Sequence, residues 1–480
     1  MELPEIPREP EDAEKLICVI GAGPSGLAAL KTILDTHHFK KGLWKPTVFE
    51  ARQEVGGVWV PAAPTDNPPI TPLYESLTTN IPHPIMAYTS FSFPPSTPLY
   101  PKAVYVRKYL DAYAEHFQLK QYIKCRTSVE NVERDTTSER WKITLNTGKT
   151  QFFDLVIVAN GHYRVPRYPD VPGSKEWLAK GKASHSAWYR RPQDLGKTVL
   201  VIGAGPSGQD ISSEMAKYAT TVIHSVTDSP LGQTGNIKHR GRVSELKNSG
   251  EVLFEDGTSE AGVDYCIFAT GYKMSFPFLS EDIIKNQAQP TIPPLPDDLY
   301  NSTYAVFPLG KHIFPLHPQT FPSTSLVFMG LPSKVAPFPL VEAQAQMIVH
   351  AFAHPEVLDP TIESVDIVTR YEDLLSKHQA NTNLVAKNWH AFEPMDQFDY
   401  RDDLYRFSGV PITSQEWEKE AYLNKGILRQ FWVNLERNGV ADDWVRGVGE
   451  GGIQEWVELM RRMIKEARDE GVLADPSARL

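Results

Sequence analysis

The run Gly-Ala-Gly-Pro-Ser-Gly occurs twice in this chain, at 21–26 and again, letter for letter, at 203–208. Glycines spaced in this way let a pyrophosphate lie against a backbone. Gly21 permits a tight turn, Gly23 has no side chain to obstruct a phosphate, and Gly26 lets a helix pack on the preceding strand. Pro24 and Ser25 complete the run, and Gly203, Gly205, Pro206, Ser207 and Gly208 repeat it. A helix starting at such a turn offers unclaimed N–H groups and about half a positive charge to an anion. Two cradles imply two dinucleotides, and two dinucleotides imply electron transfer between them. The economical pair is a flavin and a nicotinamide.

The elements that must hold these residues can be read on either side of each run. Leu16 to Ile20 predicts a short buried strand, and Leu27 to Leu34 a helix. Thr47 to Glu50 predicts the next strand, with Glu50 placed to bind the ribose hydroxyls of an adenosine. Gly56, Gly57, Val58 and Trp59 follow: two glycines for close backbone approach, then a flat apolar wall. The bland reading of that stretch is a surface hairpin. In the second unit Val199–Ile202 is the strand, 209–218 the helix and 221–226 the next strand. Setting Thr47-Val-Phe-Glu50 against Thr221-Val-Ile-His224 puts His224 where Glu50 stands. A 2′-phosphate would meet no carboxylate there. Ser225 can donate a hydrogen bond, and Lys238, His239 and Arg240 follow, so NADPH is expected over NADH. Asp228 is a counter-signal.

Three further apolar runs end in glycine turns, at 153–161, at 263–272 (with Thr270 and Gly271) and at 325–330. A helix is predicted over 340–353, with Glu342, Gln344 and Ala345 near its start. Residues 61–101 are dense in proline, which opposes regular structure. Ile81, Met86, Tyr88, Phe91 and Phe93 predict that this is an ordered loop lining a site, with Asn80 in its middle. Asn80 could instead cap the turn before Pro82. A second proline-rich insert, 290–322, is expected to line the same pocket. His185, between the two glycine runs, reads from its surroundings alone as structural. Residues 356–480 read as helical cover for the core.

The totals narrow the classes. A chain of 480 residues suggests two or three domains. Hydrophobic residues at 41% and charged residues at 22% are ordinary for a soluble globular protein. A formal charge of −10 argues against nucleic acid or an anionic membrane as partner. The three cysteines are far apart and form no C-x-x-C, which removes the dithiol disulfide reductases. No metal-ligand cluster is visible. No apolar run is long enough to span a bilayer, and Glu2 to Glu14 is acidic and proline-containing, unlike a signal peptide. A cytoplasmic location is expected, and a homodimer is compatible with the sequence.

Several of these residues resemble, in order, the motifs of the flavin-containing monooxygenases, the class B flavoproteins, over residues 1–350. The two nucleotide motifs fall on Gly21–Gly26 and Gly203–Gly208. The F-x-G-x-x-x-H-x-x-x-[YF] signature falls on Ala179, Gly181, His185 and Tyr189, with Ala in place of the first Phe. The Ala-Thr-Gly-Tyr turn is Ala269–Tyr272, the Thr-Asn-x-Pro segment is Thr79–Pro82, and the Glu-x-Gln-Ala helix start is Glu342–Ala345. The family's Ser-x-Arg after the second site departs here: Ser225 is followed two positions on by Thr227.

The resemblance implies an α/β fold of two Rossmann-like domains. An FAD domain in two pieces, 1–175 and 325–480, would carry an inserted NADP domain, 176–324, and a helical C-terminal extension. It assigns FAD to Gly21, Gly23, Pro24, Ser25, Gly26, Glu50, Gly57, Val58, Trp59, Thr79, Asn80, Val129 and Gln344. It assigns NADP to Gly203, Gly205, Pro206, Ser207, Gly208, His224, Ser225, Thr270 and Gly271. The implied reaction begins with flavin reduction by NADPH. Addition of O2 gives a C4a-hydroperoxyflavin, whose distal oxygen passes to a small amine or sulfur compound. Asn80 is the implied catalytic residue, because an amide can hold that region without donating a proton as an acid would. A Baeyer–Villiger ketone monooxygenase shares fold and cofactors, but its signature normally ends in Trp and then Pro or Asp, whereas Tyr189 is followed by Arg190. Two more readings stay open, N-hydroxylation of primary amines and a non-catalytic flavoprotein. The His185 signature counts against the first and the intact second cradle against the second.

Overall fold

The computed structural model describes residues 13–316, 318 and 320–472. Most of the acidic N-terminal stretch, up to residue 12, and the end of the charged tail from 473 lie outside the described residues. The first glycine run joins strand β1 (Lys15–Ile20) to helix α1 (Pro24–Asp35), and β2 (Trp44–Phe49) follows. These strands sit in a five-stranded sheet, ordered Leu326–Phe328, Leu155–Val158, β1, β2, Ile123–Lys124. Every pairing in it is parallel. A parallel sheet covered on both faces reads as a continuous apolar run, as β1 does. Ile17 and Val19 bury against Leu27, Leu30 and Ile33 of α1 and the helices around it. Cys18 and Ile20 bury on the other face, against Val132, Trp141, Ile143 and Phe153 of a three-stranded antiparallel sheet. The first lobe is therefore helices, parallel sheet, antiparallel sheet.

The second glycine run joins β3 (Thr198–Ile202) to α2 (Pro206–Met215), followed by β4 (Thr221–Ser225). Their sheet has six strands, ordered Gly232–Thr234, Ile237–Arg240, β4, β3, Tyr265–Phe268, Ala183–His185, antiparallel at its first pair alone. This lobe has its own cores, one on each face of the sheet.

The chain crosses between lobes through a two-stranded ribbon, Val165–Pro166 against Tyr272–Lys273. The return therefore comes near residue 272, and the boundary expected at 324 is corrected. Met274, Phe276, Phe278, Leu279 and Ile284 bury with Cys18, Val132 and Val158 under the first sheet. Val132 N–H bonds to Phe278 O at 2.7 Å. Residues 176–272 retain the inserted position, flanked by the two pieces of the first lobe.

The second proline-rich insert also departs from expectation. Its Ile292, Phe307 and Leu316 are buried with Ile367, Tyr371 and Trp389, beneath the helices Pro360–Lys377 and Thr382–Asn388. These apolar residues pack under the C-terminal helices, and none of them lines the cleft that Asn80 faces. The first insert is ordered as expected, because Tyr88 and Phe93 are buried in the main core and the Tyr88 hydroxyl donates to Pro24 O at 2.7 Å. Helix α3 (Pro337–Ala353) fastens it: the buried Glu342 carboxylate accepts from Thr89 N–H and the Ser90 hydroxyl. Helix α4 (Lys425–Arg437) buries Leu428, Phe431, Trp432 and Leu435 along one face, the spacing of an amphipathic helix. Among the described residues no helix is long and apolar enough to cross a membrane.

Candidate functional site

At the first cradle, Gly21 takes φ +105°, and its N–H bonds to Phe49 O at 2.8 Å. A Cβ on Gly26 would lie 1.9 Å from Gly21 O, so this glycine is required by the packing of α1 on the turn. Gly23 is different. A Cβ there would meet nothing closer than Gly57 Cα, at 3.5 Å, which is ordinary contact. The protein alone does not need a glycine at 23, but a ligand lying against that backbone does. Helix α1 has no side-chain cap and no acidic residue in its first turn, so its N-terminal N–H groups stay available to phosphate.

Gly57 closes this cradle from above. Arg52 Nη1 donates to Gly57 O at 2.9 Å, and Gly56 N–H bonds to Ala22 O at 3.0 Å. Gly57, Val58 and Trp59 form one turn of 3-10 helix, which replaces the surface hairpin. Glu50, just past β2, is 5% exposed. Its Oε2 accepts from Ala22 N–H at 2.8 Å and its Oε1 from Arg52 N–H at 2.8 Å. The carboxylate thus stands beside the glycine turn at the end of β2, with further lone pairs to offer a hydroxyl. Gln344 Oε1 accepts from Gly330 N–H at 2.9 Å. That bond sets the third glycine turn against α1, where a Cβ on Gly330 would lie 2.4 Å from Ser25 Oγ. Val129 opens the antiparallel sheet under β1, partly buried against its core. A dinucleotide fits this cradle on two grounds: the uncapped helix N-terminus and the carboxylate.

The second cradle repeats the turn but not its surroundings. Gly203 takes φ +139°, a Cβ on Gly208 would lie 2.1 Å from Gly203 O, and a Cβ on Gly205 would meet nothing within 4 Å. Two expectations are corrected here. Strand register pairs Ile20 with Phe49 and Ile202 with Ser225, so the counterpart of Glu50 is Val226 and not His224. His224 is buried, with Nε2 2.9 Å from Gly203 O, and burial depresses its pKa. It props the turn from below. Ser225 Oγ donates to Gly241 O at 2.7 Å and is likewise spent on backbone. Lys238 and Arg240 both pair with Glu260, at 2.8 and 2.5 Å, a partner that no sequence pattern pointed to. Val226 still leaves the position without a carboxylate, and Asp228 is exposed in a left-handed turn. Thr270 Oγ1 donates to Arg167 O at 2.5 Å. His185 accepts from Ala187 N–H at Nδ1, so its Nε2 donates to Gly271 O at 3.0 Å.

Asn80, in the first proline-rich insert, stands opposite the start of the helix that follows the second cradle. It is exposed and faces a cleft lined by Pro206, Gln209 and Asp210 of α2 and by Lys425, Gly426 and Arg429 of α4. The turn before Pro82 is closed by its neighbour: Thr79 Oγ1 donates to Ile81 O at 2.9 Å, and Thr79 N–H bonds to Pro101 O at 3.0 Å. Among the described residues the Asn80 amide makes no side-chain hydrogen bond, so a capping role finds no support in the geometry.

Sequence reasoning missed the residues that hold the lobes together around this cleft. Arg190 Nη2 donates to Thr71 O at 2.8 Å and Nε to Ala62 O at 3.0 Å, clamping the first insert to the second lobe. The Tyr74 hydroxyl, from the same insert, donates to Asp210 Oδ2 at 2.5 Å. Burial raises the pKa of Asp210. The departure at Arg190 was the available signal. Lys425 and Arg429 gave none, since a helix read as cover shows no site.

Comparison with known proteins agrees with this geometry. Residues 14–233 and 230–409 match the family model described as flavin-binding monooxygenase-like. The flavin-containing monooxygenase FMO GS-OX-like 9 of Arabidopsis thaliana is 30% identical, over 90% of this chain and 93% of that one. Among solved structures, the S-allyl-L-cysteine S-oxygenase of Allium sativum superposes with a TM-score of 0.72 at 24% identity, covering 95% of this chain and 98% of the other. An ε-caprolactone-bound cyclohexanone monooxygenase superposes with a TM-score of 0.56 at 14% identity, covering 83% and 98%. At such identities these two likenesses speak for the fold. The chain belongs to the flavin-binding monooxygenase-like family and is a flavin-dependent monooxygenase, with FAD and NADPH as the cofactors of that family.

Proposed function

We propose that this enzyme transfers one oxygen atom from O2 to a soft nucleophile on a small molecule, a thioether sulfur first and an amine nitrogen second. For a thioether the balance is simple. The thioether, O2, NADPH and a proton are consumed in equal amounts, and sulfoxide, NADP+ and water are formed. FAD, when bound, supplies the redox chemistry that activates O2. The chain's own residues bind, orient and exclude. Gly21–Gly26, Glu50 and Gly57 would hold FAD, and Gly203–Gly208 would hold NADPH across the cleft.

One observation carries the reading: the unengaged Asn80 amide faces a cleft lined by Pro206, Gln209 and Asp210, at the start of the helix that follows the second cradle. An amide there can donate and accept hydrogen bonds but has no acidic proton to lose, so it can hold a reactive oxygen without quenching it. No nucleophile or acid–base triad is needed, because the acceptor sulfur is itself the nucleophile. Sulfur is placed first because a structural neighbour is an S-oxygenase of S-allyl-L-cysteine and the Arabidopsis relative matches over most of both chains. The ketone reading has a fold-level likeness behind it. Against it stands Arg190, which here fastens the lobes through backbone carbonyls where that reading's signature has Pro or Asp after Trp. The test is product mass and NADPH consumption with methyl phenyl sulfide, a tertiary amine and cyclohexanone. Sulfoxide is expected as the dominant product, and lactone alone would overturn the assignment.

A further inference from the structure

Lys425, Gly426 and Arg429 project from one face of α4 into the cleft that Asn80 faces, while Leu428, Phe431 and Trp432 bury the helix's other side. Neither cation makes a close ion pair with a carboxylate among the described residues, and the charge that acts on Arg429 across the cleft is that of Asp210. Arg429 Nη2 donates to Thr78 Oγ1 at 2.9 Å, and the guanidinium lies over the Tyr100 ring at 4.9 Å. Its Nη1 is buried and finds no partner among the described residues. Lys425 Nζ lies 3.9 Å from the centre of the Tyr422 ring and makes no ion pair among the described residues. Burial and the neighbouring Lys334 bring its ammonium down to about 8. Asp210 lines the same cleft and partly offsets the charge of Arg429, while its Oδ2 accepts from the Tyr74 hydroxyl; Lys425 has no such counter-charge. A partly buried ammonium without a counter-charge, as at Lys425, is unfavourable until an anion arrives. A guanidinium with one edge anchored and the other unfilled suits a carboxylate, whose two oxygens match its fork.

We propose that Lys425 and Arg429 form a subsite for the carboxylate of the substrate, so that the thioethers oxygenated here are anionic. This rests on the oxygen-transfer reading above and narrows its substrate class. A carboxylate held at α4 would lie in the same cleft as Asn80, leaving the rest of a short molecule to reach the oxygen-transfer region.

The test compares 3-(methylthio)propanoate with its neutral amide, 3-(methylthio)propanamide, on the FAD-loaded full chain. Binding is measured by calorimetry without NADPH, and turnover by sulfoxide mass. The carboxylate should bind about tenfold or more tighter than the amide, the scale of a charge-assisted hydrogen bond. Lys425→Gln and Arg429→Gln should each remove most of that preference, leaving amide binding and the KM for NADPH within about twofold. Arg429 also anchors Thr78, so Lys425→Gln, which breaks no hydrogen bond among the described residues, keeps the test available if the arginine variant does not fold. Three results would overturn the subsite. One is equal binding of the two thioethers by the parent enzyme. Another is equal loss for both in the variants. The third is a raised NADPH KM with the preference intact, which would give the cations to the coenzyme phosphates. Preferential carboxylate binding with no sulfoxide from either compound would uphold the subsite and contradict S-oxygenation.

Discussion

The two cradles share six letters and differ in everything around them. Ala22 and Gly23 are buried, whereas Ala204 and Gly205 are exposed. The first is roofed by Gly57, flanked by the Glu50 carboxylate and buttressed by the Gly330 turn that Gln344 holds. The second is open above Gly205 and propped from below by His224. The same turn can therefore hold a resident cofactor or an exchanging one, and the walls decide which. A flavin that stays through every cycle suits the enclosed site, and a nicotinamide that enters and leaves suits the open one.

The comparison breaks first at the glycines. Gly26→Ala and Gly208→Ala each drive a Cβ to about 2 Å from a carbonyl oxygen, so both should cost several kcal/mol and yield little folded protein by circular dichroism. Gly23→Ala and Gly205→Ala meet no such clash and should fold, yet separate by site. Gly23→Ala should purify with most of its FAD lost. Gly205→Ala should keep its FAD and raise the NADPH KM severalfold, about 1 kcal/mol of binding. Loss of FAD from the second variant would reverse the assignment of the two cradles.

Glu50→Gln sharpens the contrast more gently. It weakens charge-assisted hydrogen bonds, each worth about 1.5–3 kcal/mol, and should loosen FAD about tenfold or more with NADPH KM unchanged. Flavin fluorescence on dilution measures it. The smallest effect concerns Glu260. Glu260→Gln frees Lys238 and Arg240 from their partner and should raise the ratio of NADPH to NADH efficiency a few fold, the scale of a partly exposed ion pair. An unchanged ratio would mean that neither cation reaches the ribose end of the coenzyme.

What could be read from the sequence was local. Each strand–turn–helix unit is dictated within its own residues by glycine sterics and a buried apolar run, so both turns were in view. The match of His224 to Glu50 failed because it followed letters, Thr-Val in each strand, while position is set by hydrogen-bonded register two residues further on. The boundary at 324 failed because residues 274–324 have little periodicity, and their attachment to Val132 and Val158 is purely tertiary. Lys425 and Arg429 escaped notice because only folding brings α4 to face Asn80. The same holds for the Glu260 bridge, which joins strands from two sheets.

Asn80 faces the second cradle's helix from the first lobe, and the ratio of sulfoxide formed to NADPH consumed tests its proposed role most directly. The parent enzyme should convert most of the NADPH it consumes into sulfoxide on a good thioether. Asn80→Leu and Asn80→Asp should keep their FAD and go on oxidising NADPH, while the ratio falls and hydrogen peroxide accounts for the missing oxygen. If both variants stay fully coupled, Asn80 is a bystander on the cleft wall, and the proposed oxygen transfer must be protected by another group.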